Sequence, residues 1–145
     1  MDFDSYERGL WAGRAAAYER GFGRLTVHTA GPLLDAAGVA VGTEVLDVGT
    51  GPGVVAAAAV ERAAKVTAVD AEPSMAEAAA RNVPGLDVRL AVLPDLPLPD
   101  AGFDAVTGNF VINHAGHPAA VLAELGRVLR PGARLALTGW SEPPP

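Results

Sequence analysis

Two aspartates and three glycines are spaced to hold one ligand. The apolar pair Val45-Leu46 runs into Asp47-Val48-Gly49-Thr50-Gly51-Pro52-Gly53, and a helical pattern opens at Val54. In such a strand, turn and helix unit, glycines accept positive φ and let the backbone come close to a ligand, while free amides at the helix start offer donors. The arrangement suits a nucleotide-like cofactor. Counted from Gly49, the dinucleotide pattern G-x-G-x-x-G needs a glycine where Val54 stands, and Gly53 comes one residue early. Asp47 also sits badly beside a pyrophosphate and well beside an ammonium group. Both points weigh against a nicotinamide cofactor and toward one that carries an amino acid. Asp70 closes the next apolar run, Val66-Thr67-Ala68-Val69, where a carboxylate can accept both hydroxyls of a ribose. The other reading of each aspartate is as a cap for the helix after its strand.

These residues need a frame. From Thr43 onward, short apolar strands alternate with helical segments, the pattern of a parallel sheet built from βαβ units. The expected strands are Glu44–Val48, Lys65–Val69, Asp87–Val92, Asp104–Thr107 extending toward Asn109, and Arg134–Thr138. The expected helices are Val54–Ala64, Pro73–Asn82 and Pro118–Leu129, the second opened by a proline where a missing amide matters least and the third stopped by Pro131-Gly132. Leu93–Pro99 and Pro143-Pro144-Pro145 are too proline-rich for elements. Before the sheet, Tyr6, Leu10, Arg14, Tyr18 and Phe22 recur every four residues beside Trp11, which predicts one amphipathic helix. A second run, Leu25–Ala37, is interrupted by Gly31-Pro32. The division is a helical preface over 1–42, an α/β core over 43–140 and a tail over 141–145, all within one domain.

The composition limits the function classes. With 145 residues, half of them hydrophobic, the chain can bury one core and hardly two. Eleven basic against 17 acidic residues give a net charge of -6, which repels nucleic-acid phosphates and anionic lipid surfaces. There is no cysteine, hence no disulfide framework and no thiolate metal site, and His28, His114 and His117 have no ligand spacing. No metal is expected. Acids near the N-terminus and the lack of a long apolar run predict a cytoplasmic protein without a membrane span.

Read together, Val45 to Gly53 and Val69-Asp70 resemble the first two motifs of class I S-adenosylmethionine-dependent methyltransferases. The likeness continues through Leu96-Pro97-Leu98-Pro99-Asp100-Ala101-Gly102-Phe103-Asp104-Ala105-Val106 and Glu124-Leu125-Gly126-Arg127-Val128-Leu129-Arg130-Pro131-Gly132. The nearest likeness is to the small-molecule enzymes related to ubiquinone and menaquinone biosynthesis. The resemblance implies a Rossmann-like α/β core with a mostly parallel five-stranded sheet, helices on both faces and an N-terminal helical lid. It implies S-adenosylmethionine as cofactor and a small-molecule methyl acceptor. By the same resemblance, Gly49, Thr50, Gly51 and Gly53 approach the methionine part, Asp47 holds its ammonium directly or through water, and Asp70 binds the ribose. Met75 packs on adenine or simply belongs to the core. Trp11, Arg14 and Tyr18 belong to the lid, with core packing the other reading for Trp11. Asn109, Asn113 and His114 follow the fourth strand, at the edge nearest the transferred methyl. Imidazole as a residue type titrates near neutrality, so His114 is the candidate general base, a solvated loop histidine being the other reading. His117, before Pro118, replaces the family's usual aspartate at a helix start, and His28 belongs to the preface.

Two departures stand out. Relatives carry an acid after the third strand that binds the adenine amino group; Val92 stands there, leaving the Leu93 amide or Asp95 to serve adenine. The family also adds a helix and an antiparallel strand pair after the fifth strand, so the C-terminal strand pair is expected to be missing and the last strand to be an uncovered edge. A homo-oligomer or a partner chain completing the sheet is therefore expected. The alternative function is a noncatalytic methyltransferase-like subunit that scaffolds or regulates a partner enzyme.

Overall fold

The computed structural model describes residues 2–141; residues 142–145 of the expected tail lie outside the described residues. Five strands, β1 (Glu44–Val48), β2 (Lys65–Asp70), β3 (Asp87–Leu90), β4 (Phe103–Asn109) and β5 (Leu129–Thr138), form one sheet in the order β3-β2-β1-β4-β5, and every neighbouring pair is parallel. The helices are α1 (Phe3–Trp11), α2 (Ala15–Arg20), α3 (Phe22–Ala37), α4 (Val54–Glu61), α5 (Pro73–Asn82) and α6 (Pro118–Val128). The Rossmann-like α/β expectation holds. No helix among the described residues is long and apolar enough to cross a membrane.

β1 is the centre. Val45, Leu46, Asp47 and Val48 are all buried, because strands pair on both sides and helices cover both faces. Side chains alternate along it. Val45 packs into the apolar cluster of Leu33, Leu34, Ala37, Val55 and Ala59 under α3 and α4. Leu46 and Val48 face the other cluster, with Val106, Val121, Leu125 and Val128 under α6. Burying a leucine such as Leu34, Leu46 or Leu125 contributes roughly 1.5–3 kcal/mol each. The alternation places Asp47 on the same side of the strand as Val45.

The preface differs from its expected form. The predicted single helix over Tyr6 to Phe22 is two, because the chain turns at Ala12-Gly13, with Gly13 at φ 69°. α1 starts at Asp2, whose carboxylate accepts from the Ser5 amide at 2.7 Å, a normal N-cap. α3 runs through Gly31-Pro32 instead of breaking there, and it ends at Gly38 in the left-handed region, whose N–H returns to Asp35 and Leu34. Several ends also move. α4 stops at Glu61, β3 stops at Leu90, and α6 ends at Val128, three residues before Pro131. Leu129 already pairs with Phe103, and the register then jumps so that Arg134 lies beside Ala105. Pro131-Gly132, with Gly132 at φ 79°, sits in that irregular stretch of β5.

The loop between β3 and β4 is clipped from outside. Arg127 on α6 donates to the Leu96 and Leu98 carbonyls at 3.0 and 2.8 Å and to the carboxylates of Glu124 and Asp100. Glu124 in turn accepts from the Leu96 amide at 2.8 Å. A proline-rich loop without ladder hydrogen bonds thereby gains fixed partners, and Leu96 and Leu98 are held in the core.

Candidate active site

At the carboxyl ends of the central strands lies a cavity of about 320 Å³, where open α/β sheets bind ligands. The glycine loop and the end of β2 form its floor, with Gly49, Gly51, Val69, Asp70 and Glu72 on the wall; α1 and α2 form its roof through Glu7, Arg8, Trp11 and Tyr18.

The loop is built for close approach. Gly49, Gly51 and Gly53 have φ of 59°, 56° and 89°, values other residues rarely adopt. A Cβ on Gly49 would stand 2.5 Å from Val111 Cγ2. At Gly53 the close neighbour is the helix α5, at Ala79, 3.3 Å away; that glycine serves helix packing and is not on the cavity wall. Thr50 is also off the wall. Its hydroxyl donates to Asp47 Oδ2 at 2.8 Å, and Thr107 on β4 donates to Asp47 Oδ1 at 2.8 Å. Asp47 is thus buried beneath the loop, tied to it and to β4, and absent from the cavity wall. Burial is the main cause that pushes its carboxyl up to about 6, opposed by the two threonine hydrogen bonds.

Asp70 does reach the cavity. Oδ2 accepts from the Gly51 amide at 2.8 Å and Oδ1 from the Glu72 amide at 3.0 Å, which leaves each oxygen a further lone pair. Burial raises its carboxyl above the usual range, against those amide bonds. Neither aspartate caps a helix, since α4 begins at Gly53 and α5 at Glu72.

Met75, Leu93, Asn109, Tyr18 and His114 all line the same cavity. Met75 is buried and packs with Ala15 and Ala78 against Trp11 and Tyr18, so it is core and wall at once. The Asn109 side chain is engaged by the Thr29 and Thr138 hydroxyls at 2.8 and 2.6 Å and donates to the Thr26 carbonyl; it ties α3 to the ends of β4 and β5. Arg14 starts α2, exposed, and is not on the wall. Val92 is on the wall, whereas Asp95, exposed and bridged to Val92 through the backbone, is not. His117 stands at the N-cap of α6 without a side-chain cap bond, and His28 is exposed on α3.

Sequence reasoning missed three acids here. Glu72 is buried, caps α5 by accepting from the Met75 amide at 3.1 Å, and also accepts from Ser74 and from the Gly13 amide at 3.4 Å. Its place directly before Pro73 was a legible cap signal. Asp4 and Glu7 face inward from α1, where Asp4 accepts from the Gly116 amide and Glu7 meets His114, both at 2.7 Å. Tyr6, in the expected inward stripe, is instead exposed.

The donor and charge inventory selects the ligand. Pro52 has no amide, and the amides of Thr50, Gly51 and Gly53 are spent on Val69, Asp70 and Thr50. The wall carries four carboxylates, Asp4, Glu7, Asp70 and Glu72, against the guanidinium of Arg8. Three loop amides are thus unavailable to a phosphate and the field of the wall is mainly negative, while a ligand with cationic groups finds carboxylates to pair with and a diol finds an acceptor in Asp70.

The family model described as a methyltransferase domain matches residues 46–137, more than half of the chain. The chain is 33% identical over 111 residues to a demethylmenaquinone methyltransferase from Renibacterium salmoninarum, covering 77% of this chain and 47% of that protein. Among solved structures, it is similar to a SAM-dependent methyltransferase from Aquifex aeolicus, with a TM-score of 0.72 and 27% identity over 100% of this chain and 79% of that one. It is also similar to a chain in the complex between the Haloferax volcanii Trm112 methyltransferase activator and a putative methyltransferase, with a TM-score of 0.74, 26% identity, and coverage of 94% and 59%. The chain spans about half the length of the curated relatives it matches, from 32% to 57% in the examples compared.

Proposed function

The chain belongs to the methyltransferase domain family, and from that premise we propose that it binds S-adenosylmethionine in this cavity and directs its methyl group to a small molecule. The observation that carries the reading is one wall that joins Gly49, Gly51, Asp70 and Met75 with carboxylates in excess, the Gly51 amide being held by Asp70. When bound, the cofactor supplies a methyl group already activated by positively charged sulfur. The protein's part is to bind, align and exclude water. Asp70 offers its remaining lone pairs to the ribose hydroxyls. Met75 offers an apolar face to adenine, beside the Leu93 backbone. Gly49 and Gly51 let the methionine part approach the backbone. Asp47 acts through others: it fixes Thr50 and Thr107, and so holds the loop against β4. Trp11 and Tyr18, packed edge-to-face with centroids 5.6 Å apart, roof the site. Alignment of an in-line nucleophile under that roof supplies much of the catalysis.

A ligand that binds only the folded state raises the melting temperature. S-adenosylhomocysteine at 100 times its Kd is expected to stabilise the protein by about 2.7 kcal/mol, visible as an upward shift in a thermal melt, while NAD and ATP at the same concentration leave it unchanged. A shift with NAD or ATP and none with S-adenosylhomocysteine overturns the reading.

Partners belong to the same proposal. Among the described residues β5 is an edge of the sheet, and an edge strand is a template for pairing. A second polypeptide or a second copy of this chain, covering Arg134–Thr138, fits that edge, and one structural neighbour was solved with an activator protein. Light scattering is expected to report an assembly larger than one chain; a stable monomer contradicts this part alone. The reading as a noncatalytic subunit draws on Val92, which leaves the adenine end of the wall without a carboxylate after β3.

A further inference from the structure

The pair formed by His114 and Glu7 goes beyond cofactor binding. His114 ends the short 3₁₀ turn Ile112–His114 after β4, and Glu7 lies in α1, 107 positions away in sequence. Glu7 Oε2 stands 2.7 Å from His114 Nδ1, and the glutamate is the more buried partner, 16% against 38% exposed. Trp11 meets the imidazole edge-on, with centroids 5.6 Å apart and planes at 84°. Asp4, one turn before Glu7, anchors the same segment through the Gly116 amide at 2.7 Å. Two groups meet this ring, Glu7 and Trp11, at the wall of the cavity that also contains Gly49, Gly51 and Asp70.

A carboxylate on Nδ1 selects the tautomer with the proton there and leaves the Nε2 lone pair free. With Nδ1 held in this way, Nε2 is the ring atom left to accept a proton from a bound nucleophile, the role of a general base. The groups facing the ring are Glu7, with Asp4 and Arg8 on α1. Across the cavity stand Asp70 and Glu72. Asp4, Asp70 and Glu72 already accept from the amides of Gly116, Gly51 and Met75, and Arg8 donates to Ser5. Only Glu7 is placed on the imidazole.

We propose that His114 is the general base of this site, with Glu7 as its positioning residue, and that the methyl acceptor is a phenolic hydroxyl. The proposal rests on the methyl-transfer reading above. A neutral amine attacks through its own lone pair and can release its proton afterwards, so a built base serves an O–H nucleophile. Phenolic hydroxyls titrate near ~10, within reach of an imidazole, whereas water lies near ~15.7 and aliphatic hydroxyls resemble it. The cavity mouth supplies flat apolar contacts at Phe22, Phe110 and Trp140, the last two stacked with centroids 4.4 Å apart. In the step, the phenol oxygen forms the new O–C bond to the methyl carbon. The S–C bond breaks with its electron pair going to sulfur, which becomes a neutral thioether. The phenolic proton passes to Nε2 and from the imidazolium to solvent.

The test compares wild type, His114→Gln and Glu7→Gln on phenol and on 4-nitrophenol, which is already ionised in mildly alkaline buffer, with S-adenosylhomocysteine affinity measured on the same samples by calorimetry. His114→Gln is expected to lower kcat on phenol by ~10²–10⁴-fold, to lower it far less on 4-nitrophenol, and to leave S-adenosylhomocysteine affinity unchanged. Glu7→Gln is expected to lower kcat on phenol, by less than His114→Gln, and to leave kcat on 4-nitrophenol nearly intact. Equal losses on both phenols, or a rise in KM with kcat intact, mean that the pair only latches α1 and overturn the proposal. Wild type that binds S-adenosylhomocysteine but methylates neither phenol also overturns it. Wild type that does not bind S-adenosylhomocysteine removes the methyl-transfer reading itself, and this proposal with it.

Discussion

Asp47→Asn is expected to gain stability relative to wild type as pH rises from 4 to 8, by on the order of 2 to 3 kcal/mol in the difference between the two proteins. Asp47 is buried at the centre of the sheet, and its carboxyl is pushed from 3.8 up to about 6, first by desolvation. A group whose folded pKa is raised contributes stability that is fully present below its unfolded value and lost as pH rises through the folded one. The window is therefore pH 4 to 7, where wild type must ionise a carboxyl that the fold prefers neutral. Asparagine keeps an acceptor for one threonine hydroxyl and an amide for the other but carries no charge. Asp104 and Glu124 are held below their ordinary values, Asp104 chiefly by the Glu44 amide and Glu124 by Arg127. They weaken wild type in acid but act equally in both proteins, and so cancel in the comparison. Urea unfolding at unit steps of pH measures the difference. A pH-independent difference would show that Asp47 is not a strained buried carboxyl, and the loop-positioning role would lose its physical basis.

The strands were legible because each is a short β-branched or apolar run bounded by glycine, proline or charge. Val45–Val48 and Val66–Val69 announce themselves this way, and the segment between them is long enough only for a crossover helix. The glycine loop was legible for the same local reason. What depends on distant partners was not. Whether Asp47 faces ligand or core is decided by strand alternation and by Thr107, 60 residues away on β4, so a residue read as a ligand contact lies beneath the loop. The inward face of α1 is set by Gly116 and His114, far along the chain; the four-residue periodicity of Tyr6 and Leu10 marked the wrong stripe because apolar spacing says nothing about an acid-lined roof. Pro32 misled differently, since tertiary packing of Leu33, Leu34 and Ala37 under the sheet carries α3 through a residue that would end an isolated helix.

The proposed cofactor site turns on Asp70. Its carboxylate lies on the cavity wall, is fixed by the Gly51 and Glu72 amides, and keeps acceptor capacity toward the ligand. Two charge-assisted hydrogen bonds to vicinal hydroxyls are together worth roughly 3–6 kcal/mol. Asp70→Ala removes both, and also frees the Gly51 amide that shapes the loop. Isothermal titration calorimetry of wild type and Asp70→Ala with S-adenosylhomocysteine is the most direct measurement. Wild type is expected to bind with a saturable isotherm, and Asp70→Ala to bind at least ~100-fold more weakly while circular dichroism shows the fold retained. Wild type that binds no more tightly than a folded Asp70→Ala protein would contradict the assignment of this cavity as the cofactor site.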